Sequence, residues 1–255
     1  MTEELRGSTV IVTGGGRGLG LAIARDLAFH GVNVGLLDVL PEVDETAAGL
    51  GHEAGVSAAG VVVDVRDAAA VDAAFQAMQD RLGTADLLVT AAGITIWGDS
   101  ADVLPADWQS VLDINLNGTF FACQSFARRL LSEGRGGSAA LISSMSAQVV
   151  NVPQFQASYH ASKAAVSMLA KSLAVEWAKS AIRVNAVEPG YMLSDMTRQF
   201  MDQNPDLAEQ WRAMIPLGRM GVPADLVGLV RFLCSPDSGY ITGQSMVIDG
   251  GYTAI

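Results

Sequence analysis

Residues 8–20 read STVIVTGGGRGLG, a short apolar run that passes without a break into a cluster of glycines. An almost entirely apolar run is typical of a parallel strand that is covered on both faces. The glycines follow the pattern T-G-x-x-x-G-x-G, with Gly14, Gly18 and Gly20 in the spaced positions. Glycines at such a strand-to-helix turn let backbone N–H groups approach a pyrophosphate at a helix N-terminus. The stretch therefore predicts a phosphate-binding loop, whose further contacts are Gly16, Arg17 and Leu19.

The rest of the chain repeats the same alternation of strand and helix. Six more apolar runs follow, and they are VNVGLL (32–37), GVVVDV (60–65), DLLVT (86–90), SAALIS (138–143), IRVNAV (182–187) and SMVID (245–249). Helix-length segments lie between them, which predicts an α/β protein with a doubly wound (Rossmann) parallel sheet of about seven strands and helices on both faces. No linker divides the sequence, so residues 1–255 are expected to form a single domain that both binds a dinucleotide and carries out catalysis.

One segment, residues 191–221, departs from this rhythm. It is rich in Met, contains Pro205 and Pro216, and follows the sixth predicted strand. Open α/β sheets bind ligands beyond the carboxyl ends of their strands, so we interpret the segment as a substrate lid. The alternative is an additional pair of surface helices.

Composition restricts the partners that the protein can have. The formal net charge of −11 disfavours binding to nucleic acid or to an anionic membrane, because both carry negative charge. The acidic first residues do not resemble a secretory signal, and no apolar run reaches the roughly 18 residues that span a bilayer. Cys123 and Cys234 have no neighbouring Cys or His, which favours buried free thiols over a disulfide or a metal site. We expect a cytoplasmic protein without a metal.

An acidic residue at the end of the second strand bears on the choice of cofactor. Asp38 lies eighteen residues beyond Gly20, where a carboxylate can accept hydrogen bonds from the adenosine ribose. Its charge would repel the 2′-phosphate of NADP, so the sequence favours NAD; Arg17 in the glycine loop keeps NADP as the alternative. Asp64 closes the third predicted strand and is a candidate contact for adenine. Either acid could instead cap the helix that follows it.

Residues 159–163 read YHASK, with a tyrosine and a lysine one helical turn apart. Together with TGGGRGLG and PGYMLSDM, this motif resembles the short-chain dehydrogenase/reductase family over essentially the whole chain. The resemblance implies that Tyr159 is the general acid and base and that Lys163 binds the nicotinamide ribose. A lysine at i+4 lies on the same helical face as the tyrosine, and its positive charge favours the phenolate.

The resemblance implies further site residues. The family's serine, thirteen residues before the tyrosine, corresponds to Ser146, with Ser144 as the alternative; the family's asparagine corresponds to Asn115, with Asn117 as the alternative. Residues 90–93 read TAAG where the family has NNAG, so both asparagines of that motif are missing. The remaining cofactor contacts that the resemblance implies are Val65, Ala92, Gly93, Pro189, Gly190, Met192 and Ser194.

The segment 144–166 resembles the polyol dehydrogenase and ketose reductase branch of the family, so we expect a polyol or sugar alcohol and its ketose as substrates. The expected substrate contacts are Ser146, Gln148, Gln156, Tyr159 and Tyr191, and Gln154 lies among them; amides both donate to and accept from hydroxyl groups.

Two alternative functions stay open, and the resemblance also implies an assembly. The alternatives are a 3-ketoacyl thioester reductase of the same family and a non-catalytic NAD-binding redox sensor. The resemblance further implies a homotetramer. A predicted helix over 157–179 has an apolar stripe at Val166, Leu169, Leu173 and Trp177 and small residues elsewhere, which fits a helix between the sheet and a second subunit.

Overall fold

A computed structural model describes residues 5–193 and 204–255. These residues form one parallel sheet of seven strands in the order β3-β2-β1-β4-β5-β6-β7. The strands are β1 (Thr9–Thr13), β2 (Asn33–Asp38), β3 (Ala58–Val62), β4 (Leu87–Thr90), β5 (Gly137–Ile142), β6 (Ile182–Pro189) and β7 (Ser245–Ile248). The predicted fold class, a doubly wound parallel sheet of about seven strands, is confirmed.

Helices cover both faces of the sheet. They are α1 (Gly18–Phe29), α2 (Val43–Ala54), α3 (Ala68–Leu82), α4 (Pro105–Leu112), α5 (Gly118–Glu133), α6 (Ala157–Trp177), α7 (Pro205–Ala213) and α8 (Pro223–Cys234). Side chains of α3, α5 and α6 pack on one face around Phe75, Phe126 and Val166. Side chains of α1, α2 and α8 pack on the other face, so the central strands are buried on both sides, as their apolar sequences require, while the edge strands β3 and β7 stay partly exposed.

The strand order reverses between β1 and β4, and the loops that follow these two strands meet there. The Ala92 N–H lies 3.5 Å from the Thr13 hydroxyl oxygen, to which it donates. A Cβ on Gly14 would lie only 2.6 Å from the Ala92 nitrogen, so no other residue fits this close approach. Open α/β sheets bind ligands in the crevice at such a switch point, which is where the predicted phosphate loop lies.

Element boundaries differ from the sequence prediction at the edge strand. The prediction placed the third strand at 60–65, whereas β3 covers Ala58–Val62. Its pairing with β2 ends at the partners Asp38 and Val62, and the Val63 N–H then donates to the carbonyl of Asp38, the last residue of β2. Asp64 therefore lies two residues beyond the strand and does not close it.

The predicted lid, 191–221, falls partly outside the described residues, since 194–203 are not among them. Its described part contains α7, in which Pro205 occupies the first turn, where its missing N–H costs nothing. Trp211 of α7 packs with Ile215 and Met220 in a small separate apolar cluster.

Both cysteines are free and buried, and burial raises the pKa of each thiol to about 12. At neutral pH they stay protonated, and a protonated thiol is a poor nucleophile and metal ligand. Among residues 5–193 and 204–255, no three His, Cys, Asp or Glu side chains cluster as metal ligands would. Over the same two ranges, every helix is too short or too polar to cross a membrane.

Candidate active site

The glycine loop brings its backbone to the N-terminus of α1. Gly14 and Gly18 have φ values of 64° and 59°, a left-handed conformation that favours glycine. A Cβ on Gly20 would lie 2.1 Å from the Gly14 carbonyl oxygen, so the turn is too tight for any side chain there. Arg17, at the N-cap, places no side-chain hydrogen bond on the first turn of α1. The first N–H groups of α1 therefore fit a pyrophosphate.

Asp38 lies beside this loop at the end of β2. Its two carboxylate oxygens accept the N–H of Gly16 at 2.9 Å and the N–H of Leu40 at 3.2 Å. A carboxylate has about four lone-pair sites, so Asp38 keeps capacity for two ribose hydroxyls although it is only 9% exposed. The side chain of Arg17, in contrast, is exposed. These contacts fit the predicted recognition of an adenosine ribose.

The other proposed acidic contact, Asp64, is held by a neighbour. Arg66 donates to both carboxylate oxygens of Asp64, from Nε at 3.0 and 2.9 Å and from Nη2 at 2.5 Å. The hydrogen bond from Arg66 is the main reason that the pKa of Asp64 lies below its usual value. Val65 is buried against the position of Gly118, where a Cβ would lie 2.6 Å from its Cγ2. A contact between Asp64 and adenine would have to share the carboxylate with Arg66.

Tyr159 and Lys163 lie in the first two turns of α6, as the spacing predicted. The Lys163 ammonium lies 5.6 Å from the centre of the Tyr159 ring and donates to the Ile142 carbonyl at 2.8 Å. Burial lowers the pKa of Lys163 to about 8. Burial also raises the pKa of Tyr159, and a hydrogen bond with Ser144 acts in the opposite direction. At neutral pH the phenol of the protein alone therefore keeps its proton.

Asn115 is fully buried in a π-helical turn, Asp113–Asn117, between α4 and α5. Its amide makes two hydrogen bonds to the backbone of the segment that follows β4. Oδ1 accepts from the Ile94 N–H at 2.8 Å, and Nδ2 donates to the Ile94 carbonyl at 2.9 Å. A Cβ on Gly93 would lie 3.3 Å from Asn115 Oδ1 and 3.5 Å from Lys163 Nζ. Asn117, the alternative, donates instead to Asp113 at 2.8 Å. Of the two asparagines, Asn115 is thus the one near the lysine.

The loop after β5 places both candidate serines near the tyrosine. Ser144 is the serine that lowers the pKa of the Tyr159 phenol, against the larger effect of burial. Its hydroxyl also donates to Ser146 Oγ at 3.1 Å, and Ser146 in turn donates to Asn151 Oδ1. Both serines are buried, with exposed fractions of 8% and 5%. The residue spacing pointed to Ser146, and Ser144, the alternative, is the serine that affects the pKa of the phenol.

The predicted substrate residues separate into two groups. Gln156 lies in the same polar region as the serines, because it donates to Asn151 Oδ1 at 3.3 Å and accepts from Thr95 at 2.9 Å. Tyr191 joins this region through its hydroxyl, which accepts from Gln154 Nε2 at 2.8 Å. Gln148 is exposed, and its amide donates at 2.5 Å to Glu188 of β6.

Two neighbours of this region, Asn151 and Trp211, did not stand out in the sequence. Neither belongs to a recognisable motif or periodic pattern. Trp211 is more than fifty residues from the tyrosine along the chain and stacks on Tyr191 with ring centres 4.6 Å apart.

The segment after β6 contains the remaining predicted cofactor contacts. Pro189 ends β6, and Gly190 packs so closely on the residue after β7 that a Cβ would lie 2.6 Å from the Asp249 Cα. Met192 forms an isolated parallel bridge with Gly221. Ser194 lies outside the described residues.

A model of one known protein family, described as enoyl-(acyl carrier protein) reductase, matches residues 14–253. Among characterised proteins, a galactitol 2-dehydrogenase (L-tagatose-forming) of Cereibacter sphaeroides is 40% identical over 251 residues, which cover 98% of this chain and 96% of that protein. A D-arabinitol 2-dehydrogenase (ribulose-forming) of Scheffersomyces stipitis is 41% identical over 264 residues, covering 98% and 95%.

Solved structures agree with the fold over nearly the full length. A short-chain type dehydrogenase/reductase from Mycobacterium marinum has a TM-score of 0.90 and 35% identity, with 99% of this chain and 97% of that chain covered. An Agrobacterium tumefaciens structure with bound NADP, provisionally assigned as a 2-deoxy-D-gluconate 3-dehydrogenase, has a TM-score of 0.89 and 34% identity, covering 99% and 98%.

Proposed function

Because this chain belongs to the short-chain dehydrogenase/reductase family of oxidoreductases, we propose that it interconverts a polyol or sugar alcohol and its ketose with NAD(H). The observation that carries the proposal is the position of Tyr159, whose ring centre lies 5.6 Å from the Lys163 ammonium and whose phenol has Ser144 as a neighbour. A phenol that keeps its proton at neutral pH is suited to protonate a ketone oxygen.

In the proposed reaction each residue has a separate task. When it is bound, the nicotinamide supplies the hydride for reduction or accepts it during oxidation. Tyr159 gives its proton to the developing alkoxide oxygen, or removes the hydroxyl proton in the reverse direction. Ser144 donates a hydrogen bond to the same oxygen, where negative charge grows in the transition state. Lys163 holds a positive charge near the phenol and so favours the phenolate that remains after proton transfer.

Two kinds of observation support a hydroxyl-rich substrate. The amides of Gln154, Gln156 and Asn151 lie together next to the serines, and amides can both donate to and accept from hydroxyl groups. The two relatives named above act on galactitol and D-arabinitol. The alternative substrate, a 3-ketoacyl thioester, would be carried by an acidic protein, and this acidic chain would need a basic surface patch to bind that carrier. Arg219 is a candidate for such a patch, but both of its terminal nitrogens already donate to Asp225, at 2.6 and 2.9 Å.

The test of the proposed function is a comparison of kcat/KM at fixed NAD(H) concentration. We expect turnover of at least one tetritol, pentitol or hexitol, or of its ketose, well above that of acetoacetyl thioesters. A higher kcat/KM for the thioesters than for every polyol and ketose would replace the sugar proposal with thioester reduction. Binding of NAD(H) without turnover of any of them would favour the redox sensor.

We further propose that Asp38 sets the preference for NAD over NADP. Replacing Asp38 with Ser is expected to raise KM for NAD by about 10- to 100-fold, the loss expected of hydrogen bonds to a charged group. The same change is expected to lower KM for NADP, because the repulsion of the 2′-phosphate is removed. Steady-state kinetics with both cofactors measures the two effects.

Arg17→Ala is the matched variant for this test, since Arg17 is the exposed cation of the same loop. We expect it to weaken NADP more than NAD. An unaltered protein that already prefers NADP would overturn the role assigned to Asp38; the Agrobacterium structure named above has NADP bound.

A homotetramer is also part of the proposal. Val166, Leu173 and Trp177 of α6 are buried against the core, whereas Met168 and Val175 on the outer side are 62% and 81% exposed. An apolar outer side of a helix supports its burial against a second copy of the chain.

A further inference from the structure

Residues 151–156, in the loop between β5 and α6, bury polar side chains and expose apolar ones. We call this stretch the Asn151 loop. Val152 and Phe155 are 49% and 63% exposed. The buried side chains are all amides, with exposed fractions of 1% for Asn151, 7% for Gln154 and 7% for Gln156. Apolar burial therefore contributes little to holding the loop in place, and hydrogen bonds have to do so.

One imidazole, that of His160 in the first turn of α6, binds both ends of the Asn151 loop. Its Nε2 accepts a hydrogen bond from the Asn151 N–H at 3.1 Å, and its Nδ1 lies 2.9 Å from the Gln156 carbonyl oxygen. The same carbonyl also accepts the backbone N–H of His160 at 3.1 Å. The ring therefore ties the first residue of the loop to the last.

The two partners are compatible with a single state of the imidazole. A carbonyl oxygen can only accept, so Nδ1 has to carry a proton; a backbone N–H can only donate, so Nε2 has to be unprotonated. His160 is therefore neutral, with its proton on Nδ1. Protonation of Nε2 would replace the acceptor with a second donor and break the hydrogen bond from Asn151.

The backbone that His160 holds carries side chains of the proposed substrate region. Asn151 Oδ1 accepts from Gln156 Nε2 at 3.3 Å and also from the Ser146 hydroxyl. Gln156 has a separate anchor, because its Oε1 accepts from Thr95 at 2.9 Å. Loss of the imidazole bridge is thus expected to displace these amides without unfolding the loop.

We propose that His160 is a positioning residue whose neutral imidazole clamps the Asn151 loop and so orients its amides for a hydroxyl-rich substrate. In this assignment His160 touches neither substrate nor cofactor, and it acts through Asn151 and Gln156. The nature of the substrate, on which this inference rests, belongs to the proposed function. The state of the imidazole does not depend on it.

Charged neighbours do not set the state of His160. The Asn151 loop itself has no charged side chain. The ionisable groups at this end of α6 and on α4, the π-helical turn and β6, which pack against α6, are Tyr159, Lys163, Asp107, Asp113, Arg183 and Glu188. None of these six is among the causes that shift the pKa of His160. Burial lowers that pKa, and the hydrogen bond to the Gln156 carbonyl raises it by less.

Polyol binding is therefore expected to weaken in acid. Since the pKa of His160 in the folded protein lies below the usual 6.5, the neutral bridging form is complete above pH 6.5 and is lost as the pH falls through the lowered pKa. KM for the polyol should rise below pH 6.5 by up to about tenfold, the equivalent of one hydrogen bond. KM for NAD should rise by a smaller factor.

Three substitutions test the clamp by steady-state kinetics over this pH range. His160→Leu removes both polar ring atoms, so KM for the polyol is expected to rise about tenfold at every pH, with a smaller change in kcat. His160→Gln keeps an oxygen that can accept the Asn151 N–H and does not titrate. It is expected to have a KM closer to that of the unaltered protein and no rise in KM below pH 6.5. His52→Gln is the matched control, because His52 is exposed on α2; both KM and its pH dependence should be retained.

A measurement without substrate decides the state of the imidazole. The chain has three histidines, so the imidazole nitrogen chemical shifts of His160 in NMR spectra are identified by their loss in His160→Gln. We expect a proton on Nδ1 in the neutral ring and a pKa below 6.5. A proton on Nε2 instead, a pKa of 6.5 or above, or an equal rise of KM in acid for the unaltered protein and His160→Gln would overturn the proposal. Absence of polyol turnover contradicts the proposed function alone, because the position of the proton and the pKa still decide whether His160 clamps the loop.

Discussion

Replacing Tyr159 with Phe is expected to lower kcat by at least about 10²–10⁴-fold, the usual contribution of general acid–base catalysis. The ring stays in place while the hydroxyl, and with it the transferable proton, is lost. Burial raises the pKa of the Tyr159 phenol, and the neighbouring Ser144 lowers it by less. At neutral pH the group therefore holds the proton that a ketone oxygen requires. Oxidation and reduction should both be affected, because the same group removes the proton in the reverse direction.

The measurement is steady-state turnover in both directions, together with a titration of NADH binding by fluorescence. NADH binding should change little, since the glycine loop and Asp38 are untouched. Tyr240→Phe is the matched control, because Tyr240 is fully exposed and has no role in the proposed mechanism. We expect the Tyr240→Phe protein to have a normal kcat. A Tyr159→Phe protein with near-normal kcat would remove Tyr159 from the proposed mechanism.

The second large effect is expected at Ser144. Ser144→Ala should lower kcat by about 10²–10³-fold, as removal of one donor to a developing oxyanion does. Ser146→Ala should cost about tenfold, the equivalent of one hydrogen bond, because it alters the orientation of Ser144 without removing the donor itself. The reason for the difference is that Ser146 commits its proton to Asn151, whereas Ser144 donates to Ser146 and can turn its proton to a substrate oxygen instead.

Both serines are buried and of equal size, so the two alanine variants control for each other in thermal unfolding. Similar melting temperatures with a large difference in kcat would separate catalysis from stability. The opposite order, with Ser146→Ala losing far more activity than Ser144→Ala, would assign the donor role to Ser146, which lies thirteen residues before Tyr159.

The sequence predicted the fold in most of its features. Seven apolar runs became seven strands, because a strand covered on both faces has to be apolar along its whole length. Boundaries were less secure at the edge strand β3, which ends at Val62 rather than at residue 65. Where a strand ends depends on how far its neighbour extends, and the apolar run VVVDV contains no information about the length of the neighbouring strand.

The candidate site was predictable where its geometry follows from regular structure. Tyr159 and Lys163 share a helical face because they lie four residues apart, and the glycine loop joins a strand to a helix in a way that few other residues permit. Asp38 was predicted from its position at the end of the second strand, and it lies beside that loop. In each case a local period or a fixed turn carried the prediction.

Contacts made through irregular loops were decided by the tertiary structure alone. The loop between β5 and α6 has no constant rise per residue, so the number of residues between a serine and Tyr159 does not determine which hydroxyl reaches the phenol. Likewise, Trp211 meets Gln154 only because α7 packs over that loop, 57 residues away along the chain. The sequence by itself determined the fold, the glycine loop and the Tyr–Lys pair through periodicity and turn sterics. Packing between distant segments determined the partners of Ser144, Gln154 and Asp64, since a hydrogen bond depends on position in space and not on separation along the chain.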